Sequence, residues 1–137
     1  MNRSFQEKSQ LVTFAALLIS FGGYFIVTLP GAPVDIGPPT IALFVAAVTL
    51  LTVLQVFGQV TLALLDRRAD ADERDRLIAL RGVRNGAYVL STGVFGALCV
   101  GVFVPGNFAF THVLLGAWVL AQLVETGSQL WLYRREG

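Results

Sequence analysis

Charged residues are scarce in this 137-residue chain, at 14% where soluble domains carry about one quarter. Hydrophobic residues make up 55%. This composition excludes an ordinary soluble domain, and the length leaves no room for a separate folded domain on either side of a membrane. We therefore predict a single transmembrane domain that covers residues 1–137.

Cysteine and histidine each occur only once. Cys99 has no intrachain partner, which excludes a disulfide framework and a Cys-x-x-Cys redox pair. A bis-histidine haem site needs two histidines and a histidine metal site needs companions, so His112 is interpreted as an interfacial residue without a catalytic role. The glycines match neither a P-loop nor a dinucleotide fingerprint. We predict no cofactor, no metal site and no enzymatic activity.

Lysine and arginine are absent from two of the connections between the apolar stretches. Two basic residues precede the first stretch, six lie between Asp66 and Arg84, and two follow the last stretch. This bias predicts that both termini lie in the cytoplasm. The net charge is only +1, with the basic residues along one membrane face, which favours contact with membrane lipids and argues against nucleic acid as a partner.

Four apolar stretches approach the roughly 20 residues that a helix needs to cross a bilayer. They cover approximately residues 11–29, 41–65, 87–104 and 110–133. The connection at 30–39 holds four of the five prolines, and Pro105-Gly106-Asn107 predicts a tight turn between spans three and four. The predicted fold is an all-α membrane four-helix bundle with short outer loops.

The cytoplasmic connection at 66–81 alternates acids and bases. Acid-first spacing of four residues, as in Asp72 and Arg76, predicts a short helix here. Its continuation into span three is left open, since Gly82 and Gly86 weaken a helix without forbidding it. The arginines between the acids argue against a calcium site. Contact with lipid headgroups and docking of a partner protein are both open for this loop. The residues that we predict to act here are Arg67, Arg68, Asp72, Glu73, Arg74, Asp75 and Arg76.

Glu125 is the only ionisable acid or base predicted to lie within a span. A carboxylate at this depth is costly, so it should face the bundle interior, find donors or bind a proton. Helical spacing puts polar residues on one face of span four and on one face of span two, which suggests that the two faces meet. The predicted intramembrane polar site consists of Glu125, Gln122, Gln129, Gln55 and Gln59. A proton or cation site and simple interhelical hydrogen bonding remain equal alternatives for it.

Small residues follow one face of span three, where they would let another helix approach closely. We favour packing within the chain, and the alternative is a dimer face that would make the protein a homo-oligomer. The predicted helix-packing residues are Gly86, Gly93, Ala97 and Gly101.

Several short motifs occur together along the chain: Glu7-Lys8-Ser9, Asp72-Glu73-Arg74-Asp75, Ile78, Gly82, Arg84 and Tyr88-Val89-Leu90. In combination they resemble a group of small uncharacterised bacterial four-span integral membrane proteins, which carry an Asp-Glu-Arg-Asp cytoplasmic loop before the third span. The resemblance implies a bacterial cytoplasmic (inner) membrane and no particular activity.

Two hypotheses for function follow from these patterns. The first is a non-enzymatic membrane subunit or regulator that acts through the Arg/Asp-rich cytoplasmic loop. The second is a proton- or cation-coupled transporter or channel subunit that uses Glu125.

Overall fold

Four long helices account for nearly all of the chain that this computed structural model describes, residues 5–31, 33–65 and 73–136. They are α1 (Phe5–Thr28), α2 (Pro38–Leu65), α3 (Glu73–Phe103) and α4 (Phe108–Glu136), with no strand among the described residues. Each helix is long and apolar enough to cross a bilayer. The four predicted spans are confirmed, and the chain is a multi-pass membrane protein.

Proline and glycine define the helix ends on one side of the molecule. Pro38 and Pro39 occupy the first turn of α2, where the missing N–H groups would have had no helical partner. Pro105 follows the end of α3. Gly31 and Gly106 have φ angles of 74° and 85°, a left-handed conformation that favours glycine. Both short connections therefore reverse the chain within a few residues.

Helix α3 begins far earlier than the predicted span at 87–104, because the charged segment from Glu73 onward is helical and continuous with it. Ile78 is only 1% exposed and packs with Leu132 and Tyr133 near the end of α4. Gly82 is also buried. An apolar contact thus holds the first turns of α3 on α4. The preceding part of the predicted cytoplasmic helix, residues 66–72, lies outside the described residues.

The main helix contacts run in the order α2, α1, α4, α3. The contact between α3 and α4 is the most extensive, followed by α1 with α2 and then by α1 with α4. In the most apolar 18-residue window of each helix, 33% of the residues are buried in α1 and 28% in α4, against 6% in α2 and 11% in α3. The first and last helices therefore form the middle of the molecule, and α2 and α3 lie at its edges.

The two ends of the helix group differ in chemistry. We call the end where α1 begins and α4 ends the basic end, since the described lysines and arginines lie toward it, and the opposite end, with the loops at 29–37 and 104–107, the turn end. The two loops of the turn end are joined by hydrogen bonds. The Phe108 N–H donates to the Val34 carbonyl at 3.1 Å, the Ile36 N–H to Asn107 Oδ1 at 2.8 Å and the Asn107 N–H to Asp35 Oδ1 at 3.2 Å. These bonds hold the α1–α2 pair beside the α3–α4 pair.

Candidate functional site

The polar residues of α2 contact α1. Ser9 Oγ donates to Gln59 Oε1 at 3.0 Å, and Thr13 Oγ1 lies 3.4 Å from Gln55 Oε1. Gln59 Nε2 in turn donates to the Ser9 carbonyl at 3.3 Å. Gln55 and Gln59 therefore make their described hydrogen bonds within the first helical hairpin, and this arrangement serves helix association.

The polar residues of α4 lie against α3. Glu125 is half-buried, and a Cβ built on Gly86 would lie 3.0 Å from its Cβ and 3.5 Å from its Oε2. Gln129 is 4% exposed and lies across Gly82, where a Cβ would approach its Cγ to 2.5 Å. Gln122, one turn before Glu125, is half-buried. The five predicted polar-site residues thus form two groups, one on each side of the molecule.

Glu125 differs from the neighbouring polar groups in its bonding. Asn85 Nδ2 donates to Ser128 Oγ at 3.1 Å, and the Thr126 hydroxyl donates to the Gln122 carbonyl at 2.9 Å. Among the described residues, no hydrogen bond or ion pair reaches the Glu125 carboxylate. A carboxylate without such partners is costly where water is excluded.

The small residues of α3 form the contact with α4. A Cβ on Gly86 would lie 2.9 Å from the Ala121 carbonyl, and a Cβ on Gly101 would lie 2.8 Å from the Phe110 ring. A Cβ on Gly93 would overlap the Cβ of Ala117. Ala97 is fully buried. All four predicted packing residues therefore lie inside the chain's own helix contacts, and Gly82, which the spacing argument did not include, extends the same face.

At the basic end, the described charged residues of the predicted loop differ in their burial and contacts. Asp75 is 8% exposed and accepts a hydrogen bond from the Tyr133 hydroxyl. Arg74 donates to the Tyr133 carbonyl at 3.2 Å and lies 5.4 Å from the centre of its ring. Glu73 and Arg76 are exposed. Arg67, Arg68 and Asp72, also predicted to act here, lie outside the described residues.

His112 lies in the first turns of α4, near the turn end, and is buried between helices. It is 5% exposed, and its ring stacks on Phe108 at a centroid distance of 3.9 Å. Nδ1 lies 2.9 Å from the Phe108 carbonyl and Nε2 lies 2.6 Å from the Tyr24 hydroxyl. Because a carbonyl only accepts, Nδ1 carries a hydrogen, and in this tautomer the Tyr24 O–H donates to Nε2. This buried pair joins α1 to α4.

The sequence contains a signal for this pair that spacing within one helix does not reveal. Tyr24 lies four residues before the end of α1, and His112 lies four residues after the start of α4. Because both helix ends belong to the turn end, the two side chains share one depth in the membrane. Comparing polar residues by depth would have paired them.

An open groove lies between α1 and α4 on the side of the turn end, with a volume of about 630 Å³. We call it the α1–α4 groove. Phe25 of α1 and Leu29 just after it line one side, and eight residues of α4 between Phe108 and Leu123 line the other. His112 is the one polar side chain among the described lining residues. The groove therefore suits a hydrocarbon occupant.

Groups of three or more histidine, cysteine, aspartate or glutamate side chains suited to a metal ion do not occur in the described ranges. No protein-family model, curated protein or solved structure matches the chain. The proposals for function therefore rest on the structure of the chain itself.

Proposed function

We propose that the protein is a small non-enzymatic integral membrane subunit or regulator that docks a partner protein through its Arg/Asp-rich cytoplasmic loop, which includes the first turn of α3. In this proposal the membrane is the bacterial cytoplasmic membrane and both termini are cytoplasmic. The distribution of lysine and arginine, with none in the loops of the turn end, supports this orientation.

The observation that carries the proposal is the division of charge at the start of α3. Asp75 is buried and bonded to Tyr133, whereas the next residue, Arg76, is exposed. Burial of the acid leaves the exposed surface more basic than the alternating sequence suggests. A fixed basic surface attracts an acidic partner and orients its approach.

Arg76→Glu is expected to release the partner protein, because it reverses an exposed charge without removing a described contact within the chain. Arg74 is less suitable for this test, since it packs on Tyr133. The measurement is native mass spectrometry of the protein extracted with its own lipids, comparing the bound second protein in the wild type and the variant. We expect a loss of about tenfold in occupancy, equivalent to about 1.4 kcal/mol.

Arg134→Glu provides the matched control, because it makes the same charge reversal at an exposed position of α4. Docking through α3 predicts a smaller loss of partner for this variant. A wild-type protein that carries no second protein, or an Arg76→Glu variant that keeps it, would contradict the proposal.

A second candidate function is proton- or cation-coupled transport through Glu125. It is favoured by the unpaired carboxylate, which lies in a niche formed by Gly86 and the α4 backbone. A carboxyl group inside a membrane that no donor satisfies is suited to load and release a positively charged species. In this function Gln122 and Gln129 shape the surroundings of the acid from the same helix.

Glu125→Gln is expected to abolish proton-linked flux in protein-containing liposomes, because the amide keeps the side-chain shape but does not release a proton at neutral pH. The α3–α4 contact should persist, since the glycine niche accepts either side chain. Glu73→Gln is the matched control: it makes the same chemical change at an exposed position in the first turn of α3. Flux that stays equal in Glu125→Gln and wild type would exclude this function.

A further inference from the structure

The α1–α4 groove is open to the surrounding membrane. Val113 and Leu120, which line it, are 38% and 54% exposed. Its volume of about 630 Å³ lies within the range of about 300 to 1,000 Å³ that is common for small-molecule sites. The groove therefore opens onto lipid hydrocarbon.

The lining of the groove offers no free hydrogen-bonding side chain among the described residues. His112 is its one polar side chain, and both ring nitrogens are already bonded, to the Tyr24 hydroxyl and to the Phe108 carbonyl. A polar group placed in the groove would lose its bonds to water without replacement. The part of an occupant that enters the groove is therefore hydrocarbon.

The length of the groove fits a lipid chain that enters from the turn end. From Phe108 to Leu123 the groove follows about 22 Å of helix at 1.5 Å per residue. Half of a bilayer core is about 15 Å thick. An acyl chain from the leaflet at the turn end can thus lie along α4 within the groove, with its headgroup beside the loops.

The loops of the turn end select the headgroup by charge. Asp35 is the only charged residue in these two loops, and it is exposed. Its Oδ1 accepts from the Asn107 N–H, and the next residue, Phe108, lines the groove. A negative charge without basic neighbours repels an anionic headgroup and attracts an amine. This complementarity places a lipid amine at the mouth of the groove.

We propose that the α1–α4 groove binds one acyl chain of a phospholipid whose headgroup carries an amine, as in phosphatidylethanolamine, with the amine beside Asp35. Because lipid tails are as apolar as the groove, the preference for this lipid comes from close packing and from the headgroup charge. This inference concerns the turn end and is independent of docking at the basic end.

Gly116→Leu tests the acyl-chain contact. A Cβ on Gly116 meets only the Phe25 ring, at 3.8 Å, so a leucine side chain can enter the groove without overlap at its base. The protein is reconstituted in bilayers of phosphatidylethanolamine and phosphatidylglycerol, gently extracted, and analysed by native mass spectrometry for retained lipid. The variant is expected to retain about tenfold less phosphatidylethanolamine than the wild type.

Gly96→Leu is the matched control, because a Cβ on Gly96 of α3 meets nothing within 4 Å and the residue lies outside the groove. It should retain lipid as the wild type does. Asp35→Asn should keep a bound lipid but lose the preference for phosphatidylethanolamine over phosphatidylglycerol.

The wild type alone also tests the inference, whether or not a variant folds. Retention of phosphatidylethanolamine in preference to phosphatidylglycerol supports it. Equal retention of the two lipids, equal retention by Gly116→Leu and wild type, or a dimer that carries no lipid would overturn it.

Discussion

Gly93→Ala is expected to destabilise the protein by about 1 to 3 kcal/mol, the usual cost of an extra group in a well-packed contact. The new Cβ would overlap the Cβ of Ala117 and lie 3.2 Å from its Cα. An alanine side chain has no rotamer that could relieve this overlap, so α3 and α4 must separate. The measurement is the free energy of unfolding in bicelles, by denaturant titration or by steric trapping.

Two variants identify the contact as the cause. Gly96→Ala introduces the same methyl group where nothing lies within 4 Å, and it should be neutral or more stable by up to about 1 kcal/mol because alanine favours helix. Combining Gly93→Ala with Ala117→Gly moves the methyl group across the interface and should recover most of the loss. Equal stability of Gly93→Ala and Gly96→Ala would contradict the described α3–α4 contact.

Tyr24→Phe is expected to cost about 1 to 3 kcal/mol, because it leaves Nε2 of the buried His112 without a donor. His112→Phe should cost a similar amount, since it leaves the Tyr24 hydroxyl unpaired while the ring can still stack on Phe108. Unfolding of both variants in bicelles measures these losses.

The double variant Tyr24→Phe and His112→Phe removes both polar groups at once. Because neither position then leaves the other without its hydrogen-bond partner, it should be more stable than the sum of the single losses predicts, by about 0.5 to 3 kcal/mol. Strictly additive losses would show that the hydrogen bond makes no specific contribution.

The four spans could be predicted from the sequence because length and hydropathy depend on each segment alone. The start of α3 could not be predicted in this way, because the charged segment from Glu73 to Arg81 has low hydropathy. Acid-base spacing predicted a helix in that segment, and its continuity with α3 depends on a tertiary contact, the packing of Ile78 on Leu132.

Residue spacing predicted the candidate sites less completely than hydropathy predicted the spans. Periodicity identified the face of α3 that carries Gly86 and Gly93, and this face contacts α4. It also placed Gln55 and Gln59 on one face of α2, but a helix face does not specify which neighbour it meets. The polar groups on α1, Ser9 and Thr13, are near enough to satisfy both glutamines.

His112 shows the limit of reading single residues. A lone histidine near a span end has no partner in any short motif, so sequence spacing gives it no role. Its partner Tyr24 is 88 positions away, and only the arrangement of the helices brings the two together.

The order α2, α1, α4, α3 also has a consequence for biogenesis. Each hairpin, α1 with α2 and α3 with α4, makes its contacts between segments that leave the ribosome one after the other. The contact that joins the hairpins involves the first and the last helix, so it forms only after the final span has been synthesised. Until then the Tyr24 hydroxyl lacks its partner His112, although its ring can already pack on Phe44 of α2. A chain truncated before α4 would therefore lack both this hydrogen bond and the helix contact that joins the two hairpins.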